Sequence, residues 1–136
     1  GGIIYSLVLA WLMRFLNLTK LMAWGGGLGA LGLLACVFIP VWPAFFALIT
    51  LLGFGFGMLH NTIQTEVSSL APQARSAAFS VHAFCFFMGQ ALGPVIFGLG
   101  MHHLGLTPII LFHGLLLAVV GFGAAYLFAR QSGDLR

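Results

Sequence analysis

Charge is what this chain has least of. In 136 residues it has five basic side chains and two acidic ones, 5% of the total, against 61% hydrophobic residues. A soluble domain carries roughly 25% charged residues, because its surface must be solvated. With a mean hydropathy of +1.12, this chain cannot build such a surface. It reads as an integral membrane protein.

The scarce groups exclude further classes. The only acids are Glu66 and Asp134, and neither falls in the middle of an apolar run, so a carboxylate pair for acid–base work is ruled out. There is no H-E-x-x-H, no G-x-S-x-G and no glycine loop ending in Lys-Ser/Thr. The run "GFGFG" (53–57) lies inside a helical segment and does not read as a nucleotide loop. No enzyme activity is expected. The basic residues Arg14, Lys20, Arg75, Arg130 and Arg136 are scattered, which excludes a nucleic-acid surface. Cys36 and Cys85 have neither disulfide nor metal-ligand spacing. A metal set made from His60, His82 and Cys85 has no recognised pattern either, so no metal and no cofactor are expected. The opening "GGIIYSLVLAWLMRF" has the apolar part of a leader without its basic start or cleavage site. It predicts a chain that starts inside a membrane helix, as a fragment of a longer protein.

What is present is apolar sequence cut by breakers into five segments, about 2–16, 21–39, 43–69, 73–101 and 107–129. They predict an all-α, polytopic bundle of five transmembrane helices in a single membrane domain over 1–136. Pro43 and Pro108 stand at first-turn positions, and Pro72 follows the third helix. Alternating spans put all five basic residues on one face, while "PVWP" and "HHLG" on the other have none. The positive-inside rule makes that face, with the C-terminus, cytoplasmic. Such short connections make consecutive helices antiparallel neighbours. Glycines four apart (Gly25 and Gly29, Gly53 and Gly57, Gly89 and Gly93) predict close helix packing in lipid.

Polar groups concentrate on the third and fourth helices. Gly53, Gly57, His60, Asn61, Gln64 and Ser68 recur at steps of three and four and predict one polar stripe. Lipid penalises such groups, so the stripe should face other helices or a water-filled cavity. On the fourth helix His82, Cys85, Gly89 and Gly93 share a face, with Gln90 beside it. His60, Asn61, Gln64, His82 and Gln90 are the candidate cavity residues, although each could instead tie neighbouring helices together. A histidine titrates near neutrality, so protons are candidate partners alongside a small solute. His102, His103 and His113 read as interfacial or packing residues.

The stretch "LAPQARSAAFSVHAFCFFMGQALGPVIFG", after "GFGFGMLHNTIQTEVSS", resembles the tenth-to-eleventh helix region of the major facilitator superfamily, particularly bacterial drug- or sugar-efflux permeases. Pro72 and Arg75 resemble its cytoplasmic P-x-x-R, and Gly89, Gly93, Pro94 and Gly98 its glycine-proline helix, a packing and gating motif. The likeness spans the chain, its five helices matching the eighth to twelfth. "LMRFLNLTKLM" departs from the family's acidic, glycine-bearing loop. The resemblance implies part of a secondary transporter in the cell inner (cytoplasmic) membrane, working by alternating access. It further implies proton-coupled efflux of a small organic solute, with the N-terminal helices of the same transporter as partner. The alternative reading is a non-transporting module that packs or assembles helices.

Overall fold

The computed structural model describes residues 2–12, 14–39, 41–70 and 72–133. These form five α-helices: α1 (Gly2–Leu12), α2 (Leu18–Phe38), α3 (Trp42–Leu70), α4 (Arg75–Leu104) and α5 (Leu106–Ser132), with a 3-10 turn at Pro72–Ala74 before α4. The last four are long and apolar enough to cross a membrane. α1 has 11 residues, about 16 Å of helix against a hydrocarbon core of about 30 Å.

Local chemistry explains where the helices begin and end. The first helix, predicted to Leu16, stops at Leu12, and Asn17 starts the next one. Its Oδ1 accepts from the Lys20 backbone N–H at 2.9 Å and caps α2. α4 runs past the predicted Met101 to Leu104, so its connection to α5 is Gly105 alone. Gly105 has φ +88°, a conformation that costs an L side chain energy and that glycine takes freely. At the other turn, the Arg75 Nε donates to the Ser68 carbonyl at 3.1 Å and satisfies an acceptor at the end of α3.

Inside the helices, hydroxyls are satisfied without leaving the element. Thr62, Thr65, Ser68 and Ser80 each donate to the carbonyl four residues earlier, at 2.6 to 2.9 Å. That removes the cost of a free hydroxyl in hydrocarbon. Aromatic rings gather at the bundle's ends, with Trp11 against Phe15 and Trp42 against Phe45 and Phe46, where an interfacial belt would place them.

α2 is the centre of the bundle and packs along both α3 and α5. Glycine makes this possible. A Cβ on Gly25 would come within 2.6 Å of the Leu59 backbone N, and one on Gly32 within 2.7 Å of the Leu48 carbonyl. A Cβ on Gly26 would collide with the Cα of Gly121, and one on Gly55 with the backbone of Gly29. The close approach of α3 to α2 runs through Gly55, opposite the predicted pair Gly25 and Gly29, while Gly57 meets the ring of Tyr5. Two small cores lie at the end of the bundle that carries Lys20 and Arg130: Tyr5, Leu21 and Met58, and beside them Met22, Leu59 and Ala125.

α4 stands apart from this three-helix core. None of its described residues is buried. It meets α5 where a Cβ on Gly100 would run into Ile109, and it meets α3 through stacked rings. The close approach predicted at Gly89 and Gly93 is made by no described residue of this chain. Nothing lies within 4 Å of a Cβ placed at Gly89, Gly93 or Gly98. The helix is continuous through Pro94, which has no N–H to offer the Gln90 carbonyl.

Candidate functional site

Because α4 leans across α3 and α5 without sealing against them, a groove of about 570 Å³ remains. Four helices build it: Leu33 from α2; Phe56, Leu59, His60 and Ile63 from α3; His82, Cys85, Phe86 and Gly89 from α4; His113, Leu116, Leu117 and Val120 from α5. Its size falls within the range of about 300–1,000 Å³ that holds small organic ligands. Among the described residues, the lining includes no Asp, Glu, Lys or Arg.

Rings organise one wall. The His60 and His82 ring centroids are 5.6 Å apart, with the planes 28° from parallel. Phe86 lies 4.3 Å from His60, and Phe56 lies parallel to His60 at 5.8 Å. Two histidines from different helices thus stand at one depth within a phenylalanine frame. The Nε2 of His82 is buried and, among the described residues, has no hydrogen-bond partner. In an apolar wall such an atom costs roughly 1–3 kcal/mol.

The polar stripe predicted on α3 divides. His60 turns into the cavity with Phe56, Leu59 and Ile63, while Asn61 and Gln64 are half-buried outside its lining. They continue the face on which Gly57 meets Tyr5 of α1. Gln90 is exposed and lies outside the lining too. Of the motif residues, Gly89 lines the cavity, Arg75 ties α4 to α3, and Pro72 opens the 3-10 turn. Gly93, Pro94 and Gly98 continue along α4 beyond the lining.

His113, read from the sequence as a packing or interfacial residue, lines the same cavity from α5. Its Nδ1 is 2.8 Å from the Ile109 carbonyl, and the ring of Phe97 stands 5.3 Å away. No short-range pattern marks it, because it joins His60 and His82 in one lining only when α5 folds back against α2 and α4. A second groove, about 630 Å³ between α2 and α5, is lined by Trp24, Phe122 and small aliphatic residues. Apart from the indole N–H it has nothing to orient a polar solute. Among the described residues, no group of three His, Cys, Asp or Glu is placed to hold a metal ion.

The arrangement is suited to holding a solute within a membrane. Comparison with curated proteins and with solved structures gives no match. Residues 1–135 match the family described as Major Facilitator Superfamily. With essentially its whole length matched, the chain belongs to the Major Facilitator Superfamily, a family of multi-pass secondary transporters of small solutes and not of enzymes.

Proposed function

We propose that this chain supplies the C-terminal helices, the eighth to twelfth, of a transporter that exports a small organic solute in exchange for protons. The cavity between α3, α4 and α5 is its half of the solute site, and α1 completes a fifth span. His60 and His82 bear on both solute and proton. Asn61, Gln64 and Gln90 are reached as the helices rearrange, and Gly89, Gly93, Pro94 and Gly98 form the face against which the N-terminal helices close. The basic ends at Arg14, Lys20, Arg75 and Arg130 face the cytoplasm of a cell inner membrane by the positive-inside rule.

The observation that carries this reading is that His60, His82 and His113, from three helices, line one cavity whose described lining has no Asp, Glu, Lys or Arg. An imidazole can bind and release a proton at a ring nitrogen, so these side chains are what the cavity offers a proton. Proton coupling needs groups whose charge is felt differently in the two access states. An imidazole pair stacked at 5.6 Å supports that reading, because charging one ring alters the field at the other.

The test uses the full-length transporter in proteoliposomes. His60→Leu and His82→Leu should lose accumulation driven by a pH gradient while keeping solute counterflow. Undiminished gradient-driven accumulation in both variants would remove the histidines from the coupling step.

A further inference from the structure

We infer that the cavity takes an uncharged, flat, aromatic solute that donates one hydrogen bond, from a hydroxyl or N–H group, to Nε2 of His113. The inference rests on the transport-site reading above and names the class of solute.

Three observations converge on it. First, the described lining carries no Asp, Glu, Lys or Arg. An ion seated against these helices would meet no opposite charge to replace the hydration it gives up. Second, the wall is a set of rings. Phe56, 44% exposed, and Phe86 frame His60, so a flat ring can stack on the frame where a flexible chain gains less. The 4.3 Å between His60 and Phe86 leaves no room to enter between rings, so stacking occurs on the open side.

Third, the tautomer of His113 is fixed by its neighbour. A carbonyl oxygen can only accept, so the 2.8 Å contact with Ile109 requires the proton on Nδ1. The neutral imidazole then presents Nε2 as a bare acceptor. No other described group bonds to that atom, and it is not among the buried, unpartnered ones. A solute bearing a donor satisfies it, whereas one bearing only acceptors leaves it unpaired. Asymmetry of this kind is how a site discriminates strongly between solutes of one shape.

Cys85 reports occupancy, because it is exposed and lines the cavity. The experiment measures alkylation of Cys85 by N-ethylmaleimide, read by mass spectrometry on the full-length protein in nanodiscs. The probes are 2-naphthol, 2-methoxynaphthalene, naphthalene, 2-naphthoate, 2-naphthylmethylammonium and 1-decanol, each corrected for partition into the lipid. 2-Naphthol should protect Cys85 at a concentration about tenfold below that needed for the methoxy compound, the two ions or decanol. His113→Leu should bring 2-naphthol to the level of naphthalene, and His113→Gln, which keeps an acceptor oxygen, should restore the preference. Retained naphthalene protection in His113→Leu shows that the cavity is intact; if it is lost, the glutamine variant alone decides. Equal protection by 2-naphthol and its methyl ether, tighter protection by either ion, or a preference that survives His113→Leu would overturn the assignment. A Cys85 that resists maleimide in every condition would instead overturn the cavity reading beneath it.

Discussion

His82 stands in the cavity wall with a buried Nε2 that no described residue pairs, a position that costs stability. Replacing it with an apolar residue removes the unpaired atom. His82→Leu should therefore keep the thermal midpoint in detergent or raise stability by roughly 1 kcal/mol, even as proton-driven transport fails. A loss of several kcal/mol would show that His82 has a structural partner. His60 and His82 were legible in the sequence because an imidazole inside an apolar run stands out, and because one tight turn puts both at similar depth. Asn61 and Gln64 were grouped with His60 by spacing alone. Successive residues lie about 100° apart on a helix, so a stripe that includes neighbours is wide enough to face two elements. Here α1, through Tyr5, takes one part of it and the cavity the other. His113 stayed hidden because its partner in defining the site is a tertiary fold of α5, which no local pattern encodes.

Among the elements, α2 and α4 are opposites built from similar composition. Both are apolar and glycine-bearing, yet α2 is clasped on two sides while α4 has no buried residue. The difference lies in what each glycine meets. Gly26 lies against the Cα of Gly121, whereas Gly123, two residues further along α5, has open space. Gly26→Ala should lower stability by about 1–3 kcal/mol, since backbone cannot yield to the added methyl. Gly123→Ala should stay within about 1 kcal/mol of the parent. Chemical unfolding of the two variants side by side checks this, and equal effects would mean that α2 and α5 are not in contact. Four long helices and their order could be read from apolar runs and prolines. Gly25 and Gly29 could be read as a packing pair and do meet α3, but Gly55 opposite them could not, because a four-residue spacing is shared by faces that pack and faces that do not.

At the scale of the whole molecule, three packed helices, α2, α3 and α5, hold up a fourth, α4, that leaves a cavity against them. A secondary transporter needs both features: a rigid body to move and a solute site that water reaches from one side at a time. The central claim is that this cavity is wet. The native cysteines test it, since Cys85 lines the cavity and is exposed, while Cys36 is half-buried with its Sγ directed at the Gly32 carbonyl, 3.2 Å away. The decisive measurement is the rate at which a charged, membrane-impermeant maleimide labels Cys85 in the full-length protein in proteoliposomes, compared with Cys36 and with a lipid-soluble maleimide. A water-filled cavity predicts rapid labelling of Cys85 by the impermeant reagent and little at Cys36. Labelling of Cys85 by the lipid-soluble reagent alone would mean that this face of α4 lies against lipid, and would contradict the account.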